Sequence, residues 1–129
     1  MEFFINNILK SNTPMNSKYF CWPVKEKISN GISFIGGMNI IAKFGSPVFS
    51  SSSGKIIYIG YHIFPYGNFI LIEHFDNYIT AYGHLDKICV KVGENVEAKK
   101  TIGTLGCSGF TKNPQLYFSI RKGNYIINI

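Results

Sequence analysis

Short apolar runs separated by turn-forming residues fill the chain from Tyr19 onward and restrict its possible folds more than any other feature. Apolar residues recur at every second position or form short continuous stretches, as in β-strands, and no segment after residue 18 has the periodicity of an amphipathic helix. Gly, Ser, Asn and Asp, which favour turns, stand between the runs. The pattern predicts an all-β fold, an antiparallel β-sandwich or open barrel.

The runs predict a series of hairpins. "SPVFSSSSGKIIYIG" indicates two strands around a serine-rich turn, the second ending at Gly60. "GNFILIEHF" is apolar on both faces, as is typical of a central strand covered on both sides. A turn at Asp76 and Asn77 then leads into "NYITAYGHL", so these two runs are expected to pair antiparallel. "KICVKVGENVEAKKTIGTLG" predicts strand, turn and short strand, with Cys89 as a small core residue, and "QLYFSIRKGNYIINI" closes the chain.

Length and composition limit the number of domains and the class of protein. The 129 residues, 46% of them hydrophobic and 16% charged, suit one small globular domain. We expect an N-terminal arm or short helix over residues 1–18 and one β-domain over 19–129. The opening "MEFFINNILK" has neither the basic start nor the apolar run of a secretory signal, and no run is long enough for a transmembrane segment.

The chain is basic, with a net charge of +6. Its positive charges come almost entirely from lysine, since Arg121 is the only arginine. Such a charge favours anionic partners such as phospholipid or an anionic wall polymer. Nucleic acid is not expected, because the chain has no clustered arginines and no zinc-finger spacing. The three cysteines are odd in number and contain no C-x-x-C pair, so they indicate neither a zinc knuckle nor a disulfide framework.

Two predicted strands carry polar side chains on one face. In "NPQLYFSIR", alternation sets Leu116, Phe118 and Ile120 on one side. The opposite side of that strand carries Gln115, Tyr117, Ser119 and Arg121. In "NYITAYGHL", the same alternation predicts that His84 shares a polar face with Tyr78, Thr80 and Tyr82. A lone histidine beside tyrosines is more often a hydrogen-bonded structural residue than a catalyst.

A resemblance to a known family gives these faces a more specific interpretation. "GGMNIIAKFGSPVFSSSSGKIIYIG", "YGNFILIEHFDNYITAYGHLDKICVKVGENVEAKKTIGTLGCSG" and "PQLYFSIRKG" together resemble the lysostaphin-type, LytM-like M23 metallopeptidase domain. The family's pattern is G-I-D-I-A-A, G-T-P-V-x-A-A-x-x-G-x-V, Y-G-N, Y-x-x-x-Y-A-H-L, V-x-x-G-x-x-V-x-x-G-x-x-I-G and H-L-H-F-E. The order and spacing of these motifs over residues 19–129 carry the resemblance. "CWPVKEK" and "FDNYITAYGH" are most similar to the branch of the family that activates peptidoglycan amidases.

The resemblance implies a zinc site in active members of the family. They cut peptide cross-links of peptidoglycan with a zinc ion bound by the His and Asp of H-x-x-x-D and by the second His of H-x-H. Such a site needs three protein ligands and an open fourth position, at which the metal activates a water. The first His of H-x-H and the His of Y-A-H then assist with protons and the developing oxyanion.

In this chain the three ligand positions are occupied by other residue types. The H-x-x-x-D positions fall on Ile35 and Asn39, the H-x-H positions fall on Gln115 and Tyr117, and only His84 of Y-A-H keeps its identity. Isoleucine cannot bind zinc, asparagine offers a neutral carbonyl oxygen, and tyrosine is a poor ligand at neutral pH. A zinc site rebuilt from His62, His84 and an acidic residue is an alternative. His74 stands where the family often has a structural histidine.

The resemblance therefore predicts a catalytically inactive LytM-like domain, with no metal and no cofactor, that acts in remodelling of the cell wall. We expect it to bind and activate a peptidoglycan amidase during cell division through a groove formed by Ile35, Asn39, His84, Gln115 and Tyr117. The implied location is the periplasm or cell envelope. One alternative is a non-catalytic module that binds peptidoglycan, with Tyr82 and Tyr117 stacking on sugars. Another is a biotinyl- or lipoyl-type carrier modified at Lys99 or Lys100.

Overall fold

The computed structural model describes residues 20–33 and 35–127, and the predicted arm at residues 1–18 lies outside these ranges. The described chain forms ten β-strands and one short 3₁₀ turn at Phe75–Asn77. The strands are β1 (Ser29–Ile32), β2 (Met38–Ile41), β3 (Pro47–Phe49), β4 (Gly54–Ile63), β5 (Gly67–Glu73), β6 (Tyr78–Ile88), β7 (Asn95–Val96), β8 (Thr101–Leu105), β9 (Gln115–Lys122) and β10 (Tyr125–Ile126). Within the described ranges, no helix is long and apolar enough to cross a membrane.

The strands join through antiparallel pairs into one ten-stranded sheet. The main path runs β1-β2-β9-β6-β5-β4-β7, and β10 pairs with β9. The long strand β6 pairs with β5 and β9 near its start and with β8 near its end, and β8 in turn pairs with β3. Thus β6 links the main sheet to the β3–β8 pair, and the predicted antiparallel all-β architecture is confirmed.

The main core lies on one side of the central strands and includes residues from nearly every strand. Leu116, Phe118 and Ile120 of β9 are buried in it, as the alternation in the sequence predicts. Residues that precede β1 also contribute to this core, because Phe20 packs edge-on against His74 with a centroid distance of 5.3 Å. The first residues of the described chain are therefore part of the fold.

The hairpin predictions agree with the structure except at a few points. Strand β5 is buried along most of its length and pairs with β4 and β6, as expected for a central strand. Asp76 and Asn77 have φ of +50° and +62°, which confirms the predicted turn. Strand β4 continues to Ile63 rather than ending at Gly60. The prediction for Cys89 is wrong, since the residue is exposed in the segment that follows β6.

A β-bulge in β6 contradicts the predicted polar face of this strand. Tyr82 pairs with Ile70 and Leu85 pairs with Asn68, so three steps along β6 match two along β5. The extra residue lies near His84, whose φ is +62°. Tyr82 and Leu85 consequently both face the main core, whereas simple alternation puts them on opposite faces. Tyr82 is fully buried rather than groove-facing.

Candidate functional site

Strand pairing brings the predicted groove residues to one region of the sheet. Asn39 on β2 pairs with Tyr117 on β9, and Tyr117 pairs with Gly83, the neighbour of His84 on β6. Ile35 lies just before β2 and packs against the cluster that contains Tyr117. Three central strands thus place the positions of the family's zinc ligands next to one another, on the sheet face opposite the main core.

An aromatic cluster occupies this region. Tyr117 forms a small second core with Phe69 and Ala81, against which Ile35, Tyr66 and Leu71 pack. The Tyr66 ring lies 5.0 Å from the Tyr117 ring and 4.5 Å from the Phe69 ring, centroid to centroid. Such separations are typical of favourable contacts between aromatic rings. The sequence interpretation missed Tyr66 and Phe69, although both belong to the quoted segment "YGNFILIEHF".

Tyr117 is not available at the surface. Only 1% of its surface is exposed, and burial raises the pKa of its hydroxyl, which keeps the side chain neutral. Over residues 20–33 and 35–127, its hydroxyl oxygen and Ser119 Oγ are the two buried side-chain polar atoms that meet no partner in good hydrogen-bond geometry, although Ser119 and Tyr66 lie close enough to influence the pKa of the hydroxyl. The expectation that Tyr117 and Tyr82 stack on sugars is therefore wrong, because both rings are buried.

Gln115 and Asn39 are only partly buried, at the margin of the cluster. Gln115 Nε2 donates a hydrogen bond to Thr111 Oγ1, in the loop that leads into β9. The Gln115 backbone forms a bridge with Gly106. Gln115 therefore ties this loop to the sheet, whereas the side chain of Asn39 can contribute hydrogen-bonding groups to the margin of the site.

His84 connects the loop between β4 and β5 to the loop between β8 and β9. Its backbone N–H donates to the carbonyl oxygen of Tyr66 at 2.6 Å, and its ring Nδ1 lies 2.7 Å from the carbonyl oxygen of Ser108. Because a carbonyl only accepts, Nδ1 carries the proton and donates. Burial lowers the pKa of His84, so the neutral ring is favoured even though the hydrogen bond to Ser108 opposes the shift.

A chain of hydrogen bonds next to the main core involves the predicted structural histidine, His74. Its Nδ1 lies 2.7 Å from the carbonyl oxygen of Ser53 and its Nε2 lies 2.7 Å from Thr80 Oγ1. Thr80 Oγ1 is in turn 2.7 Å from the Tyr82 hydroxyl, which accepts from the Ser51 backbone N–H at 3.0 Å. Burial lowers the pKa of His74 from 6.5 to about 4 and raises that of Tyr82 to about 12.

Because His74 and Tyr82 are both neutral, the donor and the acceptor of each hydrogen bond in this network are determined. His74 Nδ1 must donate to the carbonyl of Ser53, so Nε2 accepts from the Thr80 hydroxyl. Thr80 Oγ1 then accepts from the Tyr82 hydroxyl. Each polar group therefore has a partner of the correct type, which explains why a "polar" strand face is compatible with full burial.

The residues present do not fit a zinc ion of the family's type. The ligand positions hold an apolar side chain, an amide and a buried tyrosine whose pKa is raised. Nδ1 of His84 is already engaged with Ser108. In the described part of the chain, no group of three His, Cys, Asp or Glu side chains could hold a metal ion. The arrangement offers a packed aromatic surface with hydrogen-bonding groups at its margin.

Comparison with known proteins identifies relatives of this domain. A family model described as peptidase family M23 matches residues 33–129. The cell division protein DipM of Caulobacter vibrioides is 39% identical over 108 residues, which cover 79% of this chain and 18% of DipM. The murein hydrolase activator NlpD of Escherichia coli is 32% identical over 122 residues, which cover 92% of this chain and 31% of NlpD. The chain thus spans less than a third of the length of either relative.

A solved structure gives the same result for the fold. The catalytic domain of the antimicrobial peptidase lysostaphin from Staphylococcus simulans superposes with a TM-score of 0.69 at 26% identity, covering 99% of this chain and 93% of that domain. The resemblance seen in the sequence motifs is confirmed, including its similarity to the activator branch represented by NlpD. From the matched family model and these relatives, the chain belongs to peptidase family M23.

Proposed function

We propose that this domain is a catalytically inactive member of its family that binds a peptidoglycan amidase and activates it during cell division. Its place of action would be the cell envelope, where murein is found. The names of two relatives support the proposal, since NlpD is a murein hydrolase activator and DipM is a cell division protein. The domain would contribute a binding surface, and the amidase would contribute the chemistry.

The observation that carries the proposal is the packing around Tyr117. A tyrosine ring lies at a ligand position of the family's zinc site, almost fully buried against Phe69 and Ala81. A metal ion with an open coordination position needs a polar cavity that a substrate can enter. A buried tyrosine ring at this ligand position favours a role in binding over a role in hydrolysis.

The proposal is tested with dye-labelled sacculi and the amidase encoded in the same genome. We expect no dye release by this domain alone with added zinc, and faster release when the domain is added to the amidase. A pulldown between the two purified proteins should give a stable complex. Unchanged amidase activity at saturating concentrations of the domain would contradict activation, and zinc-dependent release by the domain alone would contradict its inactivity.

A module that binds the wall directly is a second candidate, favoured by the net charge of +6. An electrostatic binder of anionic polymer is released by salt, because screening weakens interactions between exposed charges. Sedimentation with sacculi at low and at high salt, without amidase, distinguishes this candidate from the first. Salt-sensitive sedimentation combined with no effect on the amidase would support the wall module.

A further inference from the structure

The end of β4 and the two loops at residues 64–66 and 106–114 expose large apolar side chains. We name this surface the aromatic tip and define it as Tyr61, Ile63, Phe64 and Phe110. Phe64 is 78% exposed and Phe110 is 64% exposed, although both are large apolar side chains. Their rings lie 5.7 Å apart, so the two loops meet at these two side chains. Contiguous exposed apolar groups of this kind mark interaction sites more often than chance exposure does.

The loops that carry the tip are held in place by hydrogen bonds. Phe110 N–H donates to the carbonyl oxygen of Pro65 at 2.9 Å, which joins the loops directly. Ser108 Oγ accepts from Asn68 N–H at 3.0 Å and donates to the carbonyl oxygen of Leu85 at 2.7 Å.

His84 adds two further connections. Its ring donates to the carbonyl of Ser108, and its backbone N–H donates to the carbonyl of Tyr66. His84, the one candidate site position at which the family's residue type is kept, thus contacts both loops of the tip. A surface ordered before binding loses less conformational entropy when a partner docks on it.

The composition of the two loops indicates the kind of partner. Residues 61–66 and 106–114 contain one residue with a full charge, Lys112, in a chain with 13 lysine and arginine residues. Interfaces between proteins have centres that are rich in aromatic residues and poor in charged ones. A lipid surface attracts clusters of lysine instead, and these loops do not contain such a cluster. The composition therefore favours a protein partner over a membrane.

We propose that the aromatic tip is the primary docking surface for a protein partner, and that Phe64 and Phe110 insert into an uncharged apolar groove on that partner. The rings of Phe64 and Phe110 are both exposed and come from neighbouring loops, so one apolar groove on the partner can take both. This inference rests on the proposed function, in which the partner is the amidase. It assigns binding to the exposed aromatic tip rather than to the buried cluster around Tyr117.

The test compares Phe64→Ser/Phe110→Ser with a matched control, Val92→Ser/Tyr125→Ser. The control removes side chains with similar exposure, 61% and 79%, from other parts of the surface. Each variant is titrated against the cognate amidase, with binding measured by calorimetry and activation by dye release. Unfolding temperatures check that all variants are folded, and vesicles with and without anionic lipid provide the membrane arm.

We expect the tip variant to bind the amidase at least about 30-fold more weakly than the wild type, as for two aromatic residues at the centre of an interface. The control should bind within about twofold of the wild type. If the wild type neither binds nor activates the amidase, the proposed function fails. If the wild type activates and the tip variant is equally active, the docking surface is wrong while the function stands. Loss of vesicle binding in the tip variant, with amidase binding intact, would assign the tip to membranes and overturn the inference.

Discussion

Mild acid should destabilise this domain through His74, which is buried in its neutral form. The pKa of this histidine is about 4 in the folded protein, against 6.5 for an ordinary histidine. Between these values the unfolded chain binds a proton that the folded chain excludes, so the stabilisation is complete above pH 6.5 and is lost as the pH falls towards 4. Each pH unit in this window is worth about 1.4 kcal/mol, so a change from pH 7 to pH 5 should lower the free energy of unfolding by about 2 kcal/mol.

The assay is urea unfolding at pH 7, 6 and 5, followed by tryptophan fluorescence, for the wild type and His74→Gln. The variant should be less stable at pH 7, because the hydrogen bonds of residue 74 to Ser53 and Thr80 are altered. It should, however, lack the loss of about 2 kcal/mol between pH 7 and pH 5 that protonation of His74 causes. His84, whose pKa is also lowered by burial, adds a dependence of the same sign to both proteins. His62→Gln, which replaces an exposed histidine, is the control and should follow the wild type.

The quantity that decides the matter is the difference in unfolding free energy between the wild type and His74→Gln. We expect this difference to shrink by about 2 kcal/mol from pH 7 to pH 5. A difference that stays constant over this range would show that the histidine is not held neutral. The directional hydrogen-bond chain would then be incorrect, since it requires a single proton on the ring.

Three other substitutions or measurements test the site. Thr80→Val should cost about 1–3 kcal/mol of unfolding free energy because it removes the donor to His74 Nε2 and the acceptor of the Tyr82 hydroxyl, whereas Thr80→Ser keeps the hydroxyl and should cost less; equal losses would contradict the role of Oγ1. Tyr117→Phe removes a buried hydroxyl without a described partner and should leave stability unchanged or raise it by up to about 2 kcal/mol, so a large loss in chemical denaturation would reveal a partner. Metal analysis of protein dialysed against zinc should give far less than one zinc per chain, and stoichiometric zinc would overturn the inactive assignment.

The order of the hairpins could be predicted from the sequence because local chemistry determines it. Glycine and Asx turns fix where strands end, and continuous apolar runs mark strands covered on both faces. The positions of the family's motifs then predicted which residues lie next to one another on the sheet. Asn39 and Tyr117 do pair across neighbouring strands, as those positions imply.

The assignment of side chains to faces on β6 could not be predicted, for two physical reasons. A bulge of one residue reverses the alternation that follows it, and an isolated glycine such as Gly83 is compatible with a bulge but does not by itself establish one. Hydroxyl groups are also compatible with burial when partners meet them, as for Thr80 and Tyr82. The two ends of this hydrogen-bond network are the backbone groups of Ser51 and Ser53 in the distant serine turn, so tertiary structure alone decides that the face is buried.

The two pairings of β6 have a consequence for dividing the protein into parts. The first half of this strand is needed by β5 and β9, and the second half is needed by β8, which also holds β3. A break in the polypeptide within β6 would therefore disrupt strand pairing in the main sheet and with the β3–β8 pair at the same time. Complementing fragments, insertions of reporter domains and permuted termini should be tolerated at exposed connections such as the one around Gly93, but not within this strand.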